Sequence, residues 1–293
     1  MFWHIGKMKT ASTFLQYNVF PYLDPIDFLG WNTKLAEKSW NSSVAMELAN
    51  EIRFSQKFNA SANAQRVSEL RLLSSSKALL SEEGIGTDQG NFQRNILRIS
   101  EIDPGARLIM VIRRQSSYLL SQYYQYQRGV FGNKRWPHLS LREFLEQKSY
   151  HVSESFYLEQ IINGYKIFGR DNFLVLPYEL LIVDAKEFSR LFSEFLGCSQ
   201  KQFYKQLISA TPVHLSKRRF QWARPLLEFI DNSFRARIAG ILSRYYGLRN
   251  LAYNTYEESS VIDWLNEKKI DYSIENRQIS SIIDINLSRF GYH

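Results

Sequence analysis

Short apolar runs alternate with longer stretches of helical periodicity along most of the chain. The runs span 2–5, 26–29, 78–80, 108–112 and 173–176, and a polar or glycine-containing turn follows each of them. Apolar runs of this length predict buried strands, and strands separated by helices predict a mostly parallel sheet. The pattern therefore predicts an α/β fold in which helices flank a mostly parallel central sheet.

The clearest helix is predicted from Asp184 to Gly197. Asp184 and Glu187 have the spacing of a capping box, an apolar stripe follows with helical spacing, and Gly197 suits the left-handed position after a helix. Beyond Ser199 the pattern predicts helices only, around 220–246 and 259–265. We expect a single domain over 1–293, with roughly 200–293 forming a helical cover.

Composition and charge narrow the class of protein. Hydrophobic residues make up 44% of the 293 residues and charged residues 23%, which is typical of a folded globular chain. The longest strongly apolar run, 108–112, is far shorter than a membrane span, and no export signal is visible. Cys198 is the only cysteine, so the expected compartment is the cytoplasm. The formal net charge of +8 indicates an anionic partner.

The first strand leads into a turn with the properties of an anion-binding loop. Residues 4–15 read His-Ile-Gly-Lys-Met-Lys-Thr-Ala-Ser-Thr-Phe-Leu. A turn at Gly6 is followed by Lys9 and by the hydroxyls of Thr10, Ser12 and Thr13. Backbone N–H groups at a helix start, a lysine and hydroxyl donors favour phosphate. The loop is shorter than the nucleotide triphosphatase loop. The alternative is an ordinary capped helix with a solvated Lys9.

This segment closely resembles the loop by which sulfotransferases hold the 5′-phosphosulfate of 3′-phosphoadenosine 5′-phosphosulfate (PAPS). Ala11 stands where the family usually has Gly, and Ser12 where it often has Thr. Both residues are small, so the loop can still approach a ligand. The resemblance implies that PAPS is the co-substrate and that the loop residues contact it, namely Gly6, Lys9, Thr10, Ala11, Ser12 and Thr13.

A second part of the resemblance follows the strand at 108–112. The family has an arginine at the end of this strand and a serine eight positions later, and the pair grips the 3′-phosphate. Arg113 and Ser121 have that spacing. Because Arg114-Gln115 stands where Asn-Pro is common, either Arg113 or Arg114 could make the contact.

The resemblance extends toward the end of the chain. Residues 172–181, Phe195-Leu-Gly197 and 286–292 resemble the late strand, helix end and closing segment of bacterial carbohydrate sulfotransferases. Tyr178 and Glu179 are expected to hold the fold together. The segment 32–75 matches the family least, and we expect it to carry acceptor specificity.

Sulfuryl transfer to an alcohol needs a base for the hydroxyl proton. Glu83 matches the glutamate that bacterial members carry after the same strand, and Glu82 is the alternative. A histidine is a further alternative, with His214 the most interesting because Lys217 and Arg218 follow it and could reach a phosphate of the nucleotide. The five histidines show no metal-ligand spacing, so no metal is expected.

The sequence therefore predicts a PAPS-dependent sulfotransferase in which Lys9 and Glu83 are catalytic. The acceptor is expected to be a hydroxyl of a glycan or a lipid-linked sugar. The alternatives are a P-loop kinase that uses ATP and a nucleic-acid-binding protein, although no nucleic-acid-binding motif is present and no nucleic-acid partner is expected.

Overall fold

Five parallel strands form the centre of the protein. We describe a computed structural model, which covers residues 1–30, 40–74, 77–87, 91–132, 139–209 and 249–292. The strands are β1 (Phe2–His4), β2 (Ile26–Phe28), β3 (Lys77–Ser81), β4 (Arg107–Ile112) and β5 (Phe173–Pro177). Every pairing is parallel and the spatial order is β2-β3-β1-β4-β5. The predicted strands and the α/β fold class are confirmed.

Helices connect and flank the strands. They are α1 (Ser12–Asn18), α2 (Trp40–Phe54), α3 (Ala60–Leu73), α4 (Glu83–Gly86), α5 (Phe92–Ile102), α6 (Gln115–Gly132), α7 (Leu141–Gln147), α8 (Tyr150–Glu154), α9 (Leu158–Phe168), α10 (Tyr178–Val183), α11 (Ala185–Leu196), α12 (Gln200–Ser209), α13 (Arg249–Glu267) and α14 (Ser273–Ile283). Short 3-10 turns lie at Phe20–Tyr22, Arg170–Asn172 and Leu287–Phe290. None of these described helices combines the length and apolar character needed to span a bilayer.

The sheet is buried because its strands are apolar on both faces. Trp3 of β1 is fully buried and pairs in register with Leu80 of β3 and Leu108 of β4. Continuous apolar strands of this kind are typical of a parallel sheet covered by helices. The core is therefore centred on β1 and its two neighbours.

The strand order reverses at β1, the central strand of the sheet. From β1 the chain builds β2 and β3 on one side and then crosses to build β4 and β5 on the other. Ligands of open α/β sheets bind beyond the carboxyl ends of the strands where the strand order reverses in this way. The turns after β3, β1 and β4 meet at that place.

Helix α11 matches its prediction closely. The Asp184 side chain accepts a hydrogen bond of 3.0 Å from the Glu187 backbone N–H, and Gly197 has a left-handed φ of 65°. The Glu187 carboxylate pairs with Arg190 at 2.8 Å, so it contributes a salt bridge rather than the second half of a capping box.

The described part of the C-terminal third is helical. The chain forms two compact units, 1–210 with 271–293, and 211–270. Within the second unit, α13 includes the helix predicted at 259–265. The predicted helix at 220–246, together with Lys217 and Arg218, lies outside the described residues. The single-domain arrangement with a helical cover stays a prediction.

Candidate active site

The loop between β1 and α1 has an unusual backbone. Lys9 and Ala11 both have left-handed conformations, with φ of 67° and 68°. Ala11 is the N-cap residue of α1 and offers no side-chain cap to the first helical turn. A side chain at residue 6 would lie 2.8 Å from the His4 Nε2 and 2.9 Å from the Ser12 Oγ, so glycine is required there. The left-handed conformations of two residues that carry a Cβ place local strain in the loop.

The strain at Ala11 gives a testable prediction. Because a left-handed φ is costly for a residue with a Cβ and costs glycine little, Ala11→Gly is expected to raise the free energy of unfolding by roughly 0.5–1 kcal/mol. Urea denaturation measures this change. Ala64→Gly, in the interior of α3, is the control and is expected to lower stability by a similar amount. A loss of stability in Ala11→Gly would contradict the observed loop conformation.

The buried hydroxyl groups of the loop form contacts within the loop and with the turn after β3. Thr10 is fully buried and its hydroxyl donates to the Lys7 carbonyl oxygen inside the loop. The Ser12 hydroxyl lies 3.4 Å from the same oxygen and also interacts with the Glu83 carboxylate. Ser12 therefore links the loop to the turn after β3. The contacts predicted between the donor and Gly6, Thr10, Ala11, Ser12 and Thr13 stay predictions.

Glu83 faces the loop from the first position of α4. Burial raises the pKa of its carboxyl group, and the neighbouring Glu82 raises it further. The Lys9 ammonium, the hydrogen bond from Ser12 and the Arg53 guanidinium act in the opposite direction but do not cancel the effect of burial. A partly desolvated carboxylate beside a cation has the properties of a general base.

Glu82 has a structural role instead. It is the N-cap residue of α4, and its carboxylate accepts a hydrogen bond of 3.1 Å from the Gly84 N–H. The same oxygen lies 3.0 Å from the Arg53 guanidinium of α2. Of the two glutamates, Glu83 is thus the one directed to the loop.

Arg113 reaches the loop from the end of β4. Its guanidinium donates to the Lys9 carbonyl oxygen at 2.8 Å and to the Ser117 hydroxyl at 2.9 Å. It also lies over the Tyr178 ring, 4.8 Å from the ring centroid. Ser121, the predicted partner of Arg113, is buried on α6 one turn beyond Ser117, on the same face of the helix.

Arg114 is directed away from the loop. Its guanidinium donates to the Phe290 carbonyl oxygen at 3.3 Å, and its backbone N–H donates to the Glu179 carboxylate at 3.1 Å. Glu179 also accepts from the Tyr292 hydroxyl at 2.8 Å. Arg114 and Glu179 therefore connect the C-terminal segment to the end of β4, and Arg113 is the arginine beside the loop.

The described histidines differ in environment. His4 is fully buried, and burial lowers its pKa to about 3, so its ring is neutral at physiological pH. Its Nδ1 lies 2.7 Å from the Ser81 hydroxyl below the loop. His151 lies 3.6 Å from the Glu154 carboxylate on α8. His138, His214 and His293 lie outside the described residues.

The structure adds three residues that the sequence did not single out. Ser117 binds Arg113, and the Tyr157 hydroxyl donates to the Arg113 carbonyl oxygen at 2.8 Å. Lys7 is 1% exposed, and burial lowers the pKa of its ammonium group to about 8. The spacing of Ser117 from Arg113, one helical turn, was a usable signal. Nothing in the local sequence marks Lys7 or Tyr157, because distant helices bury them.

Comparisons with known proteins identify the fold. A sulfotransferase from Alicyclobacillus acidocaldarius is similar, with a TM-score of 0.51 and 16% sequence identity over 76% of this chain and 91% of that chain. The sulfotransferase domain from the curacin biosynthetic pathway has a TM-score of 0.43 and 12% identity, over 73% of this chain and 81% of that chain. The sulfotransferase domain from the Synechococcus PCC 7002 olefin synthase has a TM-score of 0.43 and 14% identity, over 74% of this chain and 82% of that chain.

No protein-family model and no curated protein sequence matches the chain. The comparison with the Alicyclobacillus protein reaches the level of a shared fold. The chain therefore has a sulfotransferase fold, in which five parallel strands flanked by helices place Glu83, Lys9 and Arg113 at neighbouring strand ends.

Proposed function

We propose that this protein transfers a sulfuryl group from PAPS to a hydroxyl group of a carbohydrate acceptor, such as a glycan or a lipid-linked sugar. One observation carries the proposal. Arg113 donates to the Lys9 carbonyl, and Glu83 interacts with Lys9 and Ser12, so that three adjacent strand ends supply one site. This transfer requires a loop that binds the anionic donor, a cation beside it and a partly desolvated carboxylate as base.

The donor is held by cationic and hydroxyl groups in this proposal. Lys9 contacts the 5′-phosphosulfate and neutralises the charge that builds on the departing phosphate oxygen. Arg113 and Ser121 hold the 3′-phosphate. The hydrogen bond from Arg113 to the Lys9 carbonyl oxygen fixes the 3′-phosphate part of the donor site relative to the 5′-phosphosulfate part.

The acceptor proton goes to Glu83. The acceptor oxygen forms a bond to sulfur while the bond from sulfur to the bridging phosphate oxygen breaks, and Glu83 takes the proton of the hydroxyl group. The products are a sulfate ester and 3′-phosphoadenosine 5′-phosphate. The raised pKa of the Glu83 carboxyl makes it a stronger base than an exposed glutamate.

A kinase would use the same lysine and loop hydroxyls but would need a carboxylate for magnesium. Glu82 directly follows β3, where such a carboxylate could lie, but its carboxylate is engaged by Arg53 and by the Gly84 N–H. This engagement favours sulfuryl transfer over the kinase alternative.

The choice of donor gives the second prediction. We expect transfer of radiolabelled sulfate from PAPS to a panel of neutral glycans to proceed in excess EDTA, because Lys9 and Arg113 can neutralise a sulfuryl donor without a metal ion. Product formation is followed by chromatography. Transfer of phosphate from ATP that depends on magnesium, with none from PAPS, would establish the kinase instead.

A further inference from the structure

A cavity lies directly beside the proposed donor loop. Its volume is about 480 Å³, within the usual range for small-molecule sites. Lys7 of the loop and Thr87 after α4 line one side, and residues of α8 and α9 line the other. Thr87 accepts from the Met8 N–H at 3.2 Å and donates to the Glu83 carbonyl at 2.6 Å. The cavity thus shares a wall with both the loop and the helix that carries Glu83.

Lys7 brings hydrogen-bond donors to this cavity. Its ammonium group is 1% exposed and donates to the Glu154 carbonyl oxygen at 3.1 Å. Among the residues that the structure describes, it forms no other hydrogen bond and no ion pair within 4.0 Å. An ammonium group has three N–H donors, so it can donate to further oxygen atoms. The Tyr157 ring, whose centroid lies 5.8 Å from the ammonium nitrogen, and the charge of Glu154 also attract the cation, and ligand oxygens would add hydrogen bonds to it.

Helix α9 brings a hydrogen-bond acceptor. The Gln160 Oε1 is buried and has no hydrogen-bond partner within the described part of the chain. Asn163 lines the cavity one turn further along the same face of α9. A buried carbonyl oxygen without a donor is destabilising, and a ligand hydroxyl would satisfy it.

Two of the aromatic residues that line the cavity are partly exposed. Tyr150 and Phe156 line the cavity and are 39% and 40% exposed, which is high for such large apolar side chains. Partly exposed rings next to amide and ammonium groups can cover the apolar face of a ring-shaped, polyhydroxylated ligand.

The charges around the cavity select against anions. Among the described residues that line it, Lys7 is cationic, whereas Glu154 and Glu159 are acidic. The Glu154 carboxylate accepts a hydrogen bond of 3.0 Å from the Tyr118 hydroxyl. Two carboxylates against one ammonium group disfavour a ligand that carries a carboxylate or sulfate of its own.

We infer that this cavity is the acceptor site and that it takes an uncharged sugar residue, an inference that rests on the proposed sulfuryl transfer. Lys7 donates to sugar hydroxyls, and Gln160 accepts from one. This assigns acceptor specificity to the loop, α8 and α9. The sequence analysis instead expected it in the segment 32–75. The described helices of that segment, α2 and α3, contribute none of the cavity residues identified.

The experiment measures sugar binding without any nucleotide. The neutral trisaccharides of glucose, galactose and N-acetylglucosamine are compared with trigalacturonate by saturation-transfer NMR at millimolar concentrations. The variants are Gln160→Ala and Lys7→Met, and the matched control is Gln65→Ala on the exposed side of α3. Urea denaturation checks that each variant is folded.

We expect at least one neutral trisaccharide to bind, with trigalacturonate weaker. Gln160→Ala should weaken binding by roughly fivefold to tenfold and Lys7→Met by at least about tenfold, whereas Gln65→Ala should have no effect. Absence of neutral binding, tighter binding of trigalacturonate, or unchanged affinity in both cavity variants would overturn the inference. Because no nucleotide is present, such a failure leaves the donor assignment to be judged by its own titration.

Discussion

Replacing Glu83 by Gln is expected to lower turnover by roughly 10²–10⁴ while leaving the affinity for 3′-phosphoadenosine 5′-phosphate almost unchanged. Glutamine keeps the shape of the side chain but cannot accept the acceptor proton. The effect is confined to chemistry because Glu83 contacts the loop through Lys9 and Ser12 without holding the nucleotide in the proposed arrangement. Steady-state kinetics with PAPS and an acceptor, together with nucleotide titration, measure both quantities.

The pH profile provides a second readout for the same variant. Burial raises the pKa of the Glu83 carboxyl, so the wild-type rate should fall on the acidic side at a pH above the pKa of an ordinary glutamate. Glu83→Gln should lack that acidic limb.

Stability separates a catalytic effect from a folding defect. A raised carboxyl pKa means that the folded protein binds the proton more tightly than the unfolded chain, so ionisation of Glu83 destabilises the fold as the pH rises. Removing the charge should leave Glu83→Gln at least as stable as the wild type in urea at neutral pH.

Glu82→Gln is the matched control for Glu83→Gln. Its amide oxygen can still accept from the Gly84 N–H, and its neighbour Glu83 is untouched. The control should therefore remain active. Near-normal turnover in Glu83→Gln, combined with loss of turnover in Glu82→Gln or His214→Ala, would show that another residue is the base and would leave the sulfuryl-transfer proposal standing.

Lys9→Ala is expected to impair both donor affinity and turnover. In the proposed arrangement its ammonium group contacts the donor in the ground state, so nucleotide binding should weaken at least about tenfold. It also stabilises the charge that develops on the departing phosphate oxygen, so turnover should fall by a further factor of roughly 10²–10³. Calorimetric titration and single-turnover kinetics measure these two effects.

Lys186→Ala is the control for the loss of positive charge. Lys186 is exposed on α11, and its removal should change neither quantity. If Lys9→Ala bound the nucleotide as tightly as Lys186→Ala, the assignment of the loop as the phosphosulfate site would be contradicted.

The sheet could be predicted because its strands carry their own signal. β4 is apolar along almost its whole length because both of its faces are covered. A short apolar run between polar turns is typical of a buried strand. The same reasoning identified α11, where Asp184, an apolar stripe and Gly197 mark the start, face and end of one helix. No bounds were predicted for helices α2 and α3, although Ala45, Leu48, Ala49 and Ile52 of α2 are buried at helical spacing.

The site was predictable in its residue types but not in its contacts. The sequence could not separate Glu83 from Glu82, because their different directions follow from Glu82 being the N-cap residue of α4. It could not separate Arg113 from Arg114, because the choice depends on the C-terminal turn that binds Arg114. The burial of Lys7 arises from packing against Glu154, which is 147 positions away in the chain.

We propose that the site recognises a nucleotide through its 3′-phosphate. The most direct test is a calorimetric titration that compares 3′-phosphoadenosine 5′-phosphate with adenosine 5′-phosphate. The bisphosphate should bind at least about tenfold more tightly, because a charge-assisted bond to phosphate contributes about 1.5–3 kcal/mol. Arg113→Ala should remove most of this difference, whereas Arg114→Ala, whose side chain binds the C-terminal segment, should retain it. Equal affinity of the wild-type protein for the two nucleotides would contradict the account.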